Sequence, residues 1–389
     1  MIESIYIAMT GLRAFEQGLR IISNNTANLN TPGFKGSTLA FADLFYSGTN
    51  GGLARDYGFG LTTLGTRLNI AQGQLQNTGK DLDLAVDGTG FFVLRDSAGN
   101  VRYTRDGQFT FNSDGILVST TTGEEVMSLD HGRLSRITIA SLKTNVAKAT
   151  STVTFSGNVS SSATVATINK VVVIDAAGTS HTLTVKLEPV TGGPGTWTLT
   201  LLDGTTPVGT SQIAFLGGNP DPLHSKATID YAPGGQPTMT LTLDFSTNVT
   251  SFDSGSRSTV AMASQDGHAA GDLASTTFDD KGVLTLTYSN GQKVTGPRLA
   301  LARFRSPDAV TQAGENEYRS TGHAWDLGYA GDGAMGSVRS GTVENSNVDL
   351  SQEFSELVIL QRGYQASSQV ISTANDMLAE LFAMRGAGK

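Results

Sequence analysis

Large apolar residues near the start of the chain recur at steps of three or four positions. They are Ile2, Ile5, Met9, Leu12, Phe15, Leu19 and Ile22. This spacing places them in one stripe along a helix. The pattern stops at Asn28, and in residues 31–34 Pro32 and Gly33 take the second and third positions of a type II turn. The sequence therefore predicts a helix from residue 2 to about residue 28, followed by a turn.

The end of the chain carries a second stripe, with a strict interval of seven. Its members are Val343, Leu350, Leu357, Tyr364, Ile371 and Leu378, widened by Phe354, Val358, Leu360 and Leu381. Asp349 and Gln352 have the spacing of an N-cap and its capping box. A helix is therefore predicted from residue 350 to about residue 384.

Both stripes are interrupted by polar residues, which gives each predicted helix a second, polar face. The interruptions are Glu16 and Ser23 in the first helix and Gln361, Ser368 and Asn375 in the second. An antiparallel clamp that closes a monomer is one interpretation of such helices. Packing of many copies around a tube is the other, and it is favoured because it uses both faces. Its candidate assembly residues are Ile5, Met9, Leu12, Leu19, Ile22, Leu350, Leu357, Tyr364, Ile371 and Leu378.

Between the helices, apolar residues alternate with Thr and other polar residues in short segments bounded by Gly, Pro, Asn and Asp. Three such segments contain Leu183, Val185 and Leu187; Trp197, Leu199 and Leu201; and Met239, Leu241, Leu243 and Phe245. This period of two predicts strands with one buried and one wet face. A β-sandwich or barrel is the expected packing.

The predicted fold is mixed α and β, mainly β, with paired, coiled-coil-like terminal helices and two β-rich domains, the outer one inserted into the inner one. The predicted parts are a terminal helical polymerisation region at 1–33 and 346–389, an extended Gly-rich linker at 34–79, an inner domain at 80–145 and 297–345, and an outer domain at 146–296. The linker prediction rests on sparse apolar residues among Gly48, Gly51, Gly52, Gly58, Gly60, Gly65 and Gly73.

Composition narrows the possible functions. The 389 residues carry a net charge of -8 without a cluster of Lys and Arg, so nucleic acid is not an expected partner. The chain has no Cys, which excludes disulfides and thiolate metal sites. No apolar run is long enough for a membrane span, and the first residues lack the features of a cleaved signal peptide.

Candidate catalytic and metal-binding residues are scattered, so neither an enzyme nor a cofactor is expected. The five histidines are His131, His181, His224, His268 and His323, without metal-ligand spacing. Asp81, Asp83 and Asp87 resemble the start of a calcium loop that lacks its closing Glu, and Asp279-Asp280 is typical of a turn. Triplets at Asn24, Asn158 and Asn248 fit the N-glycosylation pattern, which chance explains.

Several blocks, in order, resemble the flagellar hook and rod protein family. The first runs from Asn24 to Lys35; others are residues 74–79, 81–88, 90–92, 103–107 and 115–118, and the last runs from 340 to 378. The signature residues are Asn24, Asn25, Ala27, Asn28, Asn30, Gly33, Phe34, Lys35, Gln361, Arg362, Tyr364 and Gln365. Thr26 stands where the family usually has an aliphatic residue. The large middle region favours a hook subunit over a proximal or distal rod subunit.

The resemblance implies a subunit that is exported through the flagellar type III apparatus without signal cleavage. It would polymerise with itself into a hollow helical tube outside the cell, a flexible joint that transmits torque from rod to filament. Rod, hook cap and hook-filament junction proteins would be its other partners. A monomeric β-rich adhesin or glycan-binding module remains a rival, as does a carbohydrate-active enzyme, and the seam-forming terminal helices argue against both.

Overall fold

The structure is a computed structural model that describes residues 2–44, 46–47, 57–193, 195–320, 322, 325–333 and 335–386. The chain divides into two compact units. Unit 1 comprises Met1–Ala140, Thr276–Leu286 and Val294–Lys389, and unit 2 comprises Ser141–Ser275 and Thr287–Lys293. Unit 2 is thus formed mainly by one continuous segment between two parts of unit 1. The sequence predicts an inserted domain at 146–296, and Thr276–Leu286 within that range belongs to unit 1.

The first part of unit 1 contains a long helix followed by short strands. Its elements are α1 (Ile2–Ala27), β1 (Ser37–Asp43), β2 (Tyr46–Ser47), β3 (Tyr57–Gly58), β4 (Leu61–Leu68), β5 (Leu75–Asn77), β6 (Leu84–Asp87), β7 (Phe91–Arg95), β8 (Val101–Thr104), β9 (Phe109–Phe111), β10 (Leu117–Ser119), β11 (Glu125–Asp130) and β12 (Arg133–Arg136). A 3-10 helix at Ala140–Leu142 follows.

The middle of the chain consists of strands. They are β13 (Thr144–Asn145), β14 (Thr152–Asn158), β15 (Ala166–Ile174), β16 (Ser180–Pro189), β17 (Thr196–Asp203), β18 (Thr206–Leu216), β19 (Asn219–Pro220), β20 (Lys226–Tyr231), β21 (Met239–Asp244), β22 (Val249–Thr250) and β23 (Ala261–Gln265). β24 (Gly271–Phe278), β25 (Val283–Tyr288) and β26 (Lys293–Arg298) follow in chain order.

The last part of unit 1 returns to short strands and ends in a second long helix. Its elements are β27 (Ala300–Phe304), a 3-10 helix at Pro307–Ala309, β28 (Val310–Gly314), β29 (Glu317–Ser320), β30 (Trp325–Tyr329), β31 (Ser337–Ser340), β32 (Thr342–Glu344) and α2 (Leu350–Gly386). The predicted fold class, mainly β with a helix at each end, is confirmed.

The main sheet of unit 1 has the order β28–β29–β8–β7–β11–β10–β9. Its buried aromatic residues pack edge to face: the ring centroids of Phe91 and Phe304 are 5.2 Å apart, and those of Tyr103 and Phe304 are 5.0 Å apart. β31 pairs with β6 and β32 with β5, so the segment that precedes α2 is hydrogen-bonded to the segment that follows β4.

Unit 2 is a β-sandwich, one of the two packings that the alternating pattern predicted. One sheet has the order β15–β16–β17–β18–β19, and the other contains β20–β21–β14–β22 with β23 beside β14. The alternate apolar residues of β16, β17 and β21 lie in one shared core. Phe155 and Phe245 stack there with centroids 4.3 Å apart. The polar residues between them face away from the core, because successive side chains in a strand point to opposite sides.

The ends of both helices follow local sequence signals, and both predicted helices are confirmed. After α1, Gly33 has φ of 70° and the Phe34 N–H donates to the Thr31 carbonyl at 3.3 Å, as the predicted turn requires. Before α2, the Asp349 carboxylate accepts from the Ser351 N–H at 2.8 Å, which makes it the N-cap. The Gln352 side chain donates to Glu356 at 3.0 Å.

The predicted linker region forms strands where the structure describes it. β1 pairs antiparallel with β4, from Ser37 opposite Leu68 to Asp43 opposite Leu61, with one register shift. Phe41 of β1 packs against Phe15 of α1, with ring centroids 6.3 Å apart. Gly48, Gly51 and Gly52 lie outside the described residues. Within those residues, no helix is both long and apolar enough to cross a membrane.

Replacing Leu241 by alanine tests the sandwich core. Leu241 is fully buried, so the substitution should lower the free energy of unfolding of unit 2 by about 2–5 kcal/mol. The measurement is a urea titration in a Trp325→Phe background, which leaves Trp197 as the fluorophore in unit 2. Leu223→Ala is the matched control: Leu223 is 85% exposed, and its replacement should change the free energy by no more than about 0.5 kcal/mol. Equal effects would contradict the packing described.

Candidate assembly site

The terminal helices α1 and α2 pack against each other as an antiparallel pair. Gly11 lies against Ser367, Gly18 against Leu360, and Asn25 against Glu353, so the chain directions are opposite. A Cβ added at Gly18 would lie 2.6 Å from a Leu360 methyl carbon, closer than side chains approach. The buried face of α1 therefore consists mainly of small residues, namely Ala8, Gly11, Ala14 and Gly18. Their small size lets the two helix backbones approach closely.

The apolar residues predicted for assembly are distributed around this pair. Ile22 is buried; Ile5, Leu12, Leu19, Leu357, Ile371 and Leu378 are half-buried; Met9, Leu350 and Tyr364 are exposed. The α2 side of the pair is formed by Leu357, Leu360, Ser367, Ile371 and Ala374, which recur at helical spacing. A face of large apolar residues is thus left uncovered by the partner helix.

The uncovered apolar residues are numerous on both helices. On α1 they are Ile2, Tyr6, Ile7 and Met9; on α2 they are Leu350, Phe354, Val358, Ile359, Tyr364, Val370, Met377, Leu381, Phe382 and Met384. Large apolar residues exposed in this number are typical of a surface that binds a protein or a membrane. We call these residues the exposed apolar faces.

At the base of the pair, Asn25 joins three elements through one side chain. Its Nδ2 donates to the Ser37 carbonyl and to Glu353 Oε1, both at 2.9 Å, and its Oδ1 accepts from the Ser37 N–H at 3.0 Å. Asn25 is buried, and an amide that both donates and accepts can bind a backbone group in each direction. This signature residue fixes α1 to β1 and to the first turn of α2. Burial raises the pKa of the Glu353 carboxyl.

A buried cluster of charges lies at the root of the helices. Glu344, at the end of β32, accepts from Lys35 Nζ at 2.5 Å and from Arg105 Nη1 at 2.9 Å. The side chains of Lys35 and Glu344 are 0% exposed and that of Arg105 is 1% exposed. The Gly73 N–H donates to the same carboxylate at 2.7 Å, and Arg105 Nη2 donates to the Gly88 carbonyl at 2.7 Å. We call Lys35, Arg105 and Glu344 the buried charge cluster.

Two cations thus face one carboxylate in this cluster, away from water. Burial and the neighbouring Arg105, offset in part by Glu344, lower the pKa of Lys35 from 10.5 to about 8. Burial also lowers the pKa of Arg105. Because an unpaired buried charge is very costly, Glu344 is the group on which both cations depend.

The turn after α1 packs directly against the residues around Arg105. A Cβ at Gly33 would lie 2.3 Å from the Asp106 backbone nitrogen, so only glycine fits. The Gly33 N–H donates to the Glu344 carbonyl at 2.7 Å, and Asn316 Nδ2 donates to the Pro32 carbonyl at 3.0 Å. The blocks around residues 33, 105 and 344, which are distant in sequence, therefore meet at one place.

The signature residues separate into two groups. Asn25, Gly33, Phe34 and Lys35 are buried at the base of the helices, where they meet partners from β32 and α2. Asn28 is half-buried, and Asn24, Ala27, Asn30, Gln361, Arg362, Tyr364 and Gln365 are exposed. Sequence reasoning missed Arg105, Glu344 and Glu353 as site residues. The signal was present for all three, since each lies in a family-like block, but nothing local indicates that they are buried.

Some of the other candidate residues are held by local partners. Within the described part of the chain, no three His, Cys, Asp or Glu side chains are grouped to hold a metal ion. Asp87 binds Arg339 at 2.6 Å, His181 contacts Asp175 at 2.9 Å, and His323 lies outside the described residues. The Asn158 amide is occupied: its Nδ2 donates to the Phe252 carbonyl and its Oδ1 accepts from the Phe252 N–H.

Comparison with protein families finds three matching models. Residues 5–35 match the flagella basal body rod protein family, residues 85–161 match the flagellar hook protein FlgE/F/G D1 domain, and residues 339–384 match the flagellar basal body rod FlgEFG protein C-terminal family. The first and last matches contain most of α1 and α2. The buried charge cluster takes one residue from each matched segment.

Full-length relatives are found among characterised proteins. The chain is 31% identical to the flagellar hook protein FlgE of Escherichia coli, over 97% of this chain and 99% of that protein. It is 28% identical to the FlgE of Borreliella burgdorferi, over 99% and 100% of the two chains. The crystal structure of Helicobacter pylori flagellar hook protein FlgE2 superposes with a TM-score of 0.53 at 15% identity, over 69% of this chain and all of that one, which supports the fold alone.

Substitutions in the buried charge cluster should have unequal effects. Glu344→Gln leaves Lys35 and Arg105 without a counter-charge, and should lower the free energy of unfolding of unit 1 by about 3–5 kcal/mol. Lys35→Met should lower this free energy by less than half as much. In that variant Glu344 still pairs with Arg105, and the Ala71 carbonyl still accepts a hydrogen bond from Asn347 Nδ2. Urea titration of both variants is the measurement. A larger loss for Lys35→Met would contradict the proposed dependence on Glu344.

The cluster also predicts a pH dependence. The pKa of Lys35 is lowered from 10.5 to about 8 in the folded chain, so between these values the unfolded chain binds more protons. Raising the pH through this window should therefore stabilise the folded chain relative to the Lys35→Met variant, in which this group is absent. Unfolding titrations of both proteins at pH 7, 9 and 10 test this expectation. A difference that stays constant with pH would refute the lowered pKa.

Proposed function

The chain belongs to the flagellar hook protein FlgE family and is a structural subunit of the bacterial flagellum, and from this premise we propose that its terminal helices α1 and α2 polymerise it into a hollow helical tube. The observation that carries the proposal is the pair of exposed apolar faces. Their residues lie on two helices of unit 1, yet no part of the subunit that the structure describes covers them. Burial against neighbouring copies would remove this apolar surface from water.

The subunit contact is heterologous, with one face of the helix pair meeting a different face of the next copy. Such contacts do not close on themselves, so they generate a helical filament in place of a dimer. The polar residues Gln361, Ser368 and Asn375 lie on an exposed side of α2. In the tube they would line the export channel, while the exposed apolar faces pack between neighbours.

The β-rich parts form the outer wall and allow the tube to bend. In this proposal residues 1–33 and 346–389 are the polymerisation region, and residues 34–79 connect them to an inner domain at 80–145 and 297–345. The outer domain at 146–296 would slide against its neighbours while the helices stay engaged. The result is a flexible joint that transmits torque from rod to filament.

Assembly outside the cell requires further partners. We propose that the subunit leaves through the flagellar type III export apparatus without signal cleavage and adds beneath a hook cap. Rod and hook-filament junction proteins would bind the two ends of the tube. Isolated amphipathic helices are marginal in water because most of their stability comes from packing. The outer turns of α1 and α2 should therefore exchange amide hydrogens quickly before assembly and slowly afterwards.

Charge placed on the exposed apolar face of α2 should abolish assembly. We expect the full chain at high concentration to form tubes in negative-stain electron microscopy, and a Phe354→Asp, Val358→Asp variant to stay monomeric. The reason is that burying two carboxylates between helices costs several kcal/mol each. Amide exchange of residues 2–27 and 350–386, followed by mass spectrometry, reports the ordering of the helices in each sample.

Leu223→Asp is the matched control, because it adds the same charge at an apolar residue that is 85% exposed in unit 2. This variant should polymerise like the unsubstituted chain. Tubes formed equally well by the Phe354→Asp, Val358→Asp variant would refute assembly through the terminal helices. A full chain that stays monomeric even with preformed tube fragments as seeds would favour the monomeric clamp.

A further inference from the structure

The antiparallel register leaves the end of α2 without a partner helix. Gly11 lies against Ser367 and Gly18 against Leu360, so seven steps along α1 match seven steps back along α2. In this register Ile2 lies level with about residue 376. Since α2 continues to Gly386, about ten residues, or nearly three turns, extend beyond the start of α1, a length of about 15 Å at 1.5 Å per residue.

The projecting turns are strongly apolar. Leu381 is 52% exposed, Phe382 is 69% exposed and Met384 is 76% exposed. Among the described residues, the subunit has no element that covers them. We call Leu381, Phe382 and Met384 the overhang residues.

A complementary groove lies toward the opposite end of the same helix pair. It is lined by Gly18 and Ile21 of α1, Leu39 and Phe41 of β1, and Ile359 and Leu360 of α2. Ile359 is 67% exposed and Phe41 is 44% exposed, so the lining has apolar surface still open to solvent.

The overhang residues cannot fill the groove of their own subunit. Phe382 and Ile359 lie on one continuous helix, and the 23 steps from one to the other correspond to about 35 Å along its axis. The occupant of the groove must therefore come from another molecule. A second copy of the chain carries apolar residues on a projecting helix end, the shape that such a groove accepts.

We propose that the overhang residues of one copy insert into the groove of the next copy, and that this contact sets the head-to-tail repeat of the polymer. The inference rests on the proposed function and adds the pair of surfaces that meet. One surface lies at each end of the helix pair, so the contact leaves a free overhang and a free groove at every stage. Growth by one subunit at a time follows from this geometry.

Cross-linking between copies tests the contact directly. The chain contains no Cys, so a Phe382→Cys chain and a Thr38→Cys chain each carry one thiol; Thr38 is exposed and lies in the groove lining. The two chains are mixed, polymerised and treated with a short bismaleimide. We expect a covalent dimer in the mixture, at least about tenfold more abundant than in either chain alone. A Gln369→Cys chain, with its thiol outside the groove, replaces the Thr38→Cys chain in the control and should give little product.

A second measurement does not depend on added thiols. Phe382→Ala should raise the concentration needed for polymerisation about tenfold, the effect of losing about 1.4 kcal/mol of contact energy. Phe252→Ala is the control, since Phe252 is 52% exposed in unit 2, and it should leave this concentration unchanged. Polymers that give no dimer above the control, or that form equally well with Phe382→Ala, would overturn the overhang contact while leaving the proposed function intact. If the unsubstituted chain forms no polymer, the proposed function fails, and this inference fails with it.

Discussion

The arrangement of the terminal helices depends on one buried carboxylate, that of Glu344. It neutralises Lys35, which follows α1, and Arg105, which belongs to the β-rich part of unit 1. Glu344 itself lies six residues before the start of α2. Because a charge away from water is stable only with its partner, the three segments must come together for any of them to be buried. The end of α1 and the start of α2 are thereby fixed to the β-rich part of the subunit.

Beyond the buried charge cluster, small residues determine how the two helices pair and which of their apolar residues stay exposed. Gly11 and Gly18 bring α1 close to α2, and Asn25 fixes the register through Ser37 and Glu353. The pair uses its small residues for internal packing and leaves many of its large apolar residues outside. This division is unusual for a monomer, where large apolar residues are normally buried, and it suits a subunit that is completed by its neighbours.

The matches to the hook and rod families include the segments that carry these features. The matched segments cover most of α1, the strands around Arg105, and the region from residue 339 through most of α2. Hook relatives align over nearly the whole chain, unit 2 included. The prediction of a hook subunit, made from the large middle region, is therefore confirmed at the level of the family.

Local sequence determined much of the fold, but it did not determine which residues meet at the candidate assembly site. The spacing of apolar residues predicted both helices and the strands β16, β17 and β21, because periodicity follows directly from helix and strand geometry. The turn at Gly33 and the cap at Asp349 were local as well. Periodicity did not indicate which apolar residues meet inside the subunit, because a stripe of large residues looks the same whether it packs on α2 or on another copy. Burial of Lys35, Arg105 and Glu344 was decided only by the tertiary structure, since charged residues are predicted to be exposed unless partners distant in sequence enclose them.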